Sequence, residues 1–409
     1  MTTPRFAALR FRNFRLLWIG LLISHTGTWM ASVGIGWLIY TLTGSPLYLG
    51  LNSLAFALPM IVLSVFGGVI ADRVDRVRLL RITQAGMLLD ALAMAALVHS
   101  GHVIVWLIIF LNLLEGVFLA FESPARQSLI PDLLDRTSLM SGVSLTSASF
   151  QSAAFVGPAL AGLIIDLTGN NRIYLLFYLN AISFLAVIAS LYSMTNVPPH
   201  TRPMAGSVLR NLREGFAYAW SAPVIRTLIM LSIISSLFSL GYSTLMPIFA
   251  RDILAVGARG LGFLQAAPGA GTILGSLLFA AIGQIRHKGA YYVAANLIFC
   301  TCLAAFTLSR IFPLSMILLF VGGGFAATSS VVLVTLVQLG TPQHLRGRVL
   351  SLTTLSFIGI PSLGGMVLAS GAAAFGAPTA ILIGALIVAA SLLALGTGTL
   401  TREGATNPQ

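Results

Sequence analysis

The sequence predicts an all-helical membrane protein, with twelve transmembrane helices in two pseudo-symmetric six-helix bundles. Three observations lead there. The chain of 409 residues is 57% hydrophobic and only 8% charged, with a mean hydropathy of +0.94; a soluble domain carries about 25% charged residues. Apolar stretches near the roughly 20 residues needed to cross a bilayer follow one another along almost its whole length. The longest polar interruption, 195–222, leaves six such stretches on either side.

The first stretch, 16–40, is too long for a signal peptide and lacks a small-residue cleavage site, so it stays as a helix. Before it, Pro4–Arg15 alternates arginine with Phe6, Phe11 and Phe14, the pattern of an interfacial anchor. Stretches 47–70, 79–98, 103–122, 143–165 and 173–194 complete the first half, 1–194. The linker 195–222 carries Pro198, Pro199 and Pro203, then an amphipathic run over Leu209–Trp220. The second half, 223–409, holds 225–249, 260–283, 290–309, 313–338, 349–371 and 377–399. Several spans exceed the bilayer thickness, which implies tilt or extension into water. Cys300 and Cys302 stand two positions apart in the ninth span and point in different directions on a helix, so they read as packing residues and not as a disulfide or metal site.

The net charge of +12 and pI near 10.6 raise the question of nucleic acid. The distribution answers it. Arg5, Arg10, Arg12 and Arg15 precede the first span; Arg73, Arg76, Arg78 and Arg81 follow the second; Arg126 and Arg136 follow the fourth. Arg202, Arg210, Arg213, Arg226, Arg286, Lys288, Arg346, Arg348 and Arg402 fall on the same side, against only Arg172, Arg251, Arg259 and Arg310 on the other. This positive-inside pattern puts both termini in the cytoplasm of a multi-pass protein, expected in a bacterial inner membrane. The excess charge then serves topology and membrane lipids, and no nucleic-acid partner is expected.

The halves carry a weak internal repeat. Gly157-Pro158-Ala159-Leu160-Ala161-Gly162 in the fifth span matches Gly359-Ile360-Pro361-Ser362-Leu363-Gly364-Gly365 in the eleventh, with Pro158 and Gly162 set against Pro361 and Gly365. Such repeats mark transporters whose substrate site lies between the halves near the bilayer midplane. The turn after the second span, Gly67-Gly68-Val69-Ile70-Ala71-Asp72-Arg73-Val74-Asp75-Arg76, carries glycine, three residues, Asp-Arg and further basic residues. Gly68, Asp72, Arg73 and Arg76 resemble the signature cytoplasmic loop of the major facilitator superfamily, although Asp75 stands where many members have glycine. Further segments narrow the resemblance: Leu42-Thr43-Gly44-Ser45-Pro46, Glu122-Ser123-Pro124-Ala125-Arg126-Gln127-Ser128-Leu129-Ile130-Pro131, Leu245–Asp252 running on to Gly262 and Ala267-Pro268-Gly269, and Arg346-Gly347-Arg348-Val349. Together they are similar to the enterobactin-exporter-like branch, the transmembrane secretion effectors, over nearly the full chain.

The resemblance implies the major facilitator fold and export of a small molecule of drug, macrolide or siderophore class, driven by proton entry. It implies that Gly68, Asp72, Arg73, Arg76 and Arg126 form a latch on the cytoplasmic side. Gly157, Pro158 and Gly162 resemble the antiporter motif, with Ala161 in place of one glycine. The fourth span departs from the drug-antiporter pattern: Asn112, Glu115 and Gly116 stand where an arginine and Gln-Gly are common, which removes the usual coupling arginine and adds a carboxylate.

Intramembrane ionisable groups carry the most weight, since each costs about 2.5–3.5 kcal/mol on insertion scales. Asp90 in the third span, Glu115 in the fourth and His25 in the first are the candidate proton-coupling groups. Trp29, Asn112, Gln151, Phe238, Tyr242 and Gln265 are candidates for lining an apolar substrate cavity. No phosphate loop, zinc-ligand spacing or nucleophile elbow is present in the sequence, so an enzyme and an ATP-driven pump are disfavoured. The expected protein is a monomeric secondary transporter working by alternating access, with no cofactor and the proton gradient as driving force. A lysophospholipid flippase or an uncoupled facilitator is the nearest rival, and a non-transporting membrane sensor the rival from another class.

Overall fold

The computed structural model describes residues 6–195, 208–283, 285–343, 345–396 and 400. Six long helices form the first half: α1 (Arg12–Thr43), α2 (Pro46–Arg73), α3 (Arg76–His99), α4 (Val105–Asp132), α5 (Leu139–Thr168) and α6 (Tyr174–Tyr192). The amphipathic part of the linker is α7 (Val208–Ser221). The seventh span is α8 (Pro223–Phe238), a 3-10 segment over Leu240–Leu245, the short α9 (Met246–Ile248) and a π turn over Phe249–Ile253. Then come α10 (Gly257–Ile282), α11 (Lys288–Leu308) and α12 (Phe312–Gly340). The eleventh span is α13 (Arg346–Ile358) and α14 (Ile360–Phe375), and the twelfth is α15 (Ala377–Ser391), closed by a π turn at Leu392–Gly396.

Among the described residues eleven helices are long and apolar enough to cross a membrane, and Ile360–Phe375 is a shorter apolar helix. Helices suit this setting because each satisfies its backbone hydrogen bonds within one segment. Large apolar side chains such as Leu89, Ile182 and Leu277 point outward and are at least 60% exposed, which in water would be costly and in lipid is not. Most of the helices outrun the apolar stretches that predict them, although α6 falls inside 173–194. The largest extension is in α4, which continues past 122 to Asp132 with Pro124 and Pro131 inside it.

Two spans are broken where the sequence reading has continuous ones. The seventh leaves α-geometry at Ser239, and the eleventh is interrupted at Gly359, with Pro361 in the first turn of the new helix. Proline suits that position because its missing N–H has no intrahelical acceptor there. Pro158, its partner in the internal repeat, lies inside the unbroken α5. The matched Gly-Pro segments therefore have different backbones.

By contacts the chain forms two compact units: Met1–Thr43 with Ala55–Ala205 and Leu261–Ala266, and Gly44–Leu54 with Gly206–Gly260 and Ala267–Gln409. In unit one, Gly20, Gly27 and Gly34 recur every seven residues along α1 and so share one face. A Cβ at Gly20 would stand 3.1 Å from the Ala186 carbonyl, one at Gly27 2.8 Å from Ser183 Cβ, and one at Gly34 3.1 Å from the Phe177 ring. This seam lets α6 lie directly against α1. In unit two, a Cβ at Gly364 would collide with the Leu237 carbonyl, so α14 reaches α8 by the same device.

The seam is testable. Gly27→Leu should lower the thermal stability of the detergent-solubilised protein by about 1–3 kcal/mol through overpacking. Gly68→Ala should cost nothing by packing, because a Cβ there meets no atom of the described residues within 4 Å. Equal losses in the two variants would refute the α1–α6 seam as the tighter constraint.

Candidate functional site

The turn between α2 and α3 is built from its charges. Asp75 caps α3, its carboxylate accepting the Arg78 backbone N–H at 2.7 Å. That is the local reason for an aspartate where glycine is common: it satisfies one of the helix's orphan donors. Arg76 is buried, donates to the Ser128 carbonyl at 2.8 Å and forms an ion pair with Asp132 at the end of α4. Arg81 donates to the Leu191 carbonyl at 2.7 Å and lies 4.2 Å over the Tyr192 ring of α6. Arg73 is exposed, and the side chain of Asp72 lies outside the described residues.

Next to the motif glycine, Gly67 makes a close helix approach: a Cβ on it would run into the Ala120 carbonyl of α4, whereas one on Gly68 meets no atom of the described residues within 4 Å. Arg76 and Arg126, grouped with Asp72 from sequence, both have partners on α4. Arg126 Nε donates to Glu122 Oε1 at 2.8 Å, one turn back on the same helix. Glu122 is 2% exposed, and its second oxygen, Oε2, has no hydrogen-bond partner among the described residues. Sequence reasoning missed Glu122 because it ended the fourth span there. The Glu-to-Arg spacing of four, in the order that stabilises a helix, was the available signal. In the following loop Asp135 accepts from the Ser138 N–H at 2.7 Å and the Thr137 hydroxyl at 3.0 Å, and these bonds, Ser138's first, hold its carboxyl below the usual carboxylate range.

The three coupling candidates do not form one cluster. Asp90 of α3 and Glu115 of α4 line a common cavity of about 20 Å³, closed by Ala31 and Ile35 of α1 and by Phe177, Asn180 and Phe184 of α6. That volume accepts a water molecule. Asp90 Oδ1 is buried and has no hydrogen-bond partner among the described residues. Met87, Ala91, Ala181 and Phe184 pack into a core cluster beside it. His25 lies elsewhere in unit one, edge-on to Phe150 of α5 at 5.4 Å between ring centroids. Its Nε2 is buried and without a partner among the described residues.

The six cavity candidates are also dispersed. Trp29 joins His25 around Phe150, 5.8 Å from its centroid, and Gln151 follows Phe150 on α5, half-buried. Gly157 makes this crossing possible, since a Cβ there would stand 2.6 Å from that of Trp29. Gly162 and Pro158, also of the antiporter-like motif, pack against Gly262, where a Cβ would stand 2.5 Å from the Pro158 carbonyl oxygen and 2.7 Å from the Gly162 Cα, all within unit one. Asn112 is buried on α4. In unit two Tyr242 is buried and meets the Phe299 ring edge-on at 6.4 Å, a packed position, and Phe238 closes α8. Gln265 is half-buried on α10. None of the six lines the Asp90–Glu115 cavity.

Comparison with known proteins decides the family. The model of the transmembrane secretion effectors, a branch of the major facilitator superfamily, matches residues 3–407. The chain belongs to this family. It is therefore a multi-pass membrane transporter and not an enzyme. Among relatives of this secretion effector, the staphyloferrin A transporter of Staphylococcus aureus is 26% identical over 358 residues, 86% of this chain and 87% of that one. The enterobactin exporter EntS of Shigella boydii is 25% identical over 360 residues, 86% and 85% of the two chains. Among solved structures, a bacterial homologue of the human lysosomal transporter Spinster superposes with a TM-score of 0.73 at 15% identity, covering 100% of both chains. A D-xylose–proton symporter does so with 0.71 at 14%, covering 97% of this chain and 99% of that one. At these identities the structures establish the major facilitator fold of the secretion effector.

The ion pair on α4 yields a prediction. Glu122→Ala leaves the partly buried Arg126 guanidinium without its carboxylate and should destabilise the secretion effector by about 3 kcal/mol. Adding Arg126→Met should recover most of that loss in thermal unfolding. A double variant no more stable than Glu122→Ala would show that the pair is not what holds Arg126.

Proposed function

We propose that this secretion effector exports a small molecule of the siderophore class from the cytoplasm by proton antiport, through alternating access of its two halves. The supporting relatives are a staphyloferrin A transporter and an enterobactin exporter, each matched over most of its length. The arginine-rich ends fit a bacterial inner-membrane protein with both termini in the cytoplasm. No bound cofactor is needed; the proton gradient drives the cycle.

The observation that carries the coupling is the shared, water-sized cavity of Asp90 and Glu115. A membrane carboxylate is retained for use when nothing structural neutralises it. Glu122 has Arg126, whereas among the described residues neither Asp90 nor Glu115 is ion-paired. In this reading Asp90 and Glu115 share the transported proton through the intervening water, and Asn180 orients that water. The pair lies inside one helix bundle, between α1, α3, α4 and α6, so proton occupancy acts on cargo by shifting those helices and not by touching cargo.

Transport into sealed everted vesicles tests this. Wild type should accumulate a siderophore when the vesicle lumen is made acidic, so that protons leaving through the transporter drive cargo inward, and an uncoupler should abolish that accumulation. Asp90→Asn and Glu115→Gln should lose uphill accumulation by more than about tenfold, the scale of 1.4 kcal/mol of coupling, while keeping cargo exchange at equal concentrations. Uphill transport that survives both substitutions would sink the assignment. Flux insensitive to the uncoupler would support the facilitator reading instead.

A further inference from the structure

Helix α7 is fixed on one side and bare on the other. Its inner side is seated on unit two: a Cβ on Gly215 would lie 2.9 Å from the Arg348 carbonyl, Ala219 is buried, and the Tyr218 hydroxyl donates to the Gly340 carbonyl at 2.9 Å. Glu214 forms an ion pair with Arg348, in the Arg346-Gly347-Arg348 segment that the transport reading does not use. Its outer side presents Phe216 and Trp220, one turn apart and stacked at 5.6 Å between centroids, 56% and 54% exposed.

We propose that this outer face of α7 is a docking surface for the headgroup region of an anionic lipid leaflet. Three observations favour lipid over a protein partner. Only Ala222 separates α7 from α8, a membrane-spanning segment, so the helix is held at the level where the span leaves the bilayer. Its bare side offers aromatic rings, and tryptophan favours the membrane–water boundary. Basic residues stand on it and on the elements it packs against: Arg226 in the first turn of α8 and Arg346 at the start of α13 are both exposed, and α7 itself carries Arg210 and Arg213 in sequence. Aromatic insertion plus basic charge is the composition that binds anionic interfaces. The face does not depend on which cargo is moved or how it is coupled. Through Glu214 and Gly215 its occupant would bear on α13, the first piece of the broken eleventh span.

The test uses the full chain in nanodiscs containing brominated lipid, which quenches tryptophan fluorescence on contact. The Trp220 signal is the difference between wild type and Trp220→Phe, since four other tryptophans remain. Brominated phosphatidylglycerol should quench it at a several-fold lower mole fraction than brominated phosphatidylcholine. High salt should erase that preference, and so should Arg226→Gln combined with Arg346→Gln. Equal quenching by the two lipids at low salt overturns the proposal. So does a Trp220 signal untouched by either lipid and quenched by aqueous iodide, the result expected if the face awaits a protein or stays in water.

Discussion

In hydrocarbon there is no water to satisfy a backbone amide, and that constraint governs the whole molecule. It requires every crossing segment to be a helix closed on its own hydrogen bonds. It also removes the hydrophobic drive for helices to associate, because lipid is as apolar as leucine. Cohesion must then come from close contact and from a few polar anchors. The glycines of α1 at seven-residue spacing meet the first need, letting α6 approach to where a Cβ would clash. Arg76 and Arg81 meet the second near the ends of α4 and α6, where their long side chains bond to the Ser128 and Leu191 carbonyls.

The same constraint explains where the polar groups lie. Glu122 and Arg126 are a turn apart on one helix, the cheapest way to keep a charge at that depth. Asp90 and Glu115 come from different helices and meet across a cavity instead. An arrangement that stabilises would pair each acid with a base. One that leaves two acids on one cavity with room for water costs stability, which is why the proposed proton carriage is assigned to it.

Much of this was legible in the sequence. Length and hydropathy gave the spans because a helix needs a fixed apolar length to cross a bilayer, and the Asp72–Arg76 turn with the segments around Glu122 and Arg346 pointed to the family later matched over residues 3–407. Asp90 and Glu115 stood out as charges among apolar residues, though nothing in one dimension shows that they share a cavity while His25 sits with Phe150. The breaks at Ser239 and Gly359 were hidden because hydropathy reads side chains and not backbone continuity. Gly68 drew attention through its motif position, whereas contact with Ala120 falls on its neighbour Gly67, a distinction of one hundred degrees around the helix that only packing decides.

The two halves differ in a way that bears on mechanism. In unit one the fifth span is unbroken through Pro158, and the acids, the histidine and both ion pairs on α4 are gathered there. In unit two the seventh and eleventh spans are broken at Ser239 and Gly359, and Gly364 brings the second piece of one against the other. A continuous helix transmits a displacement along its length, and a broken one turns about the break. The internal repeat thus carries the charges in one copy and the backbone breaks in the other, and the proposed antiport would assign protonation to the first and bending to the second.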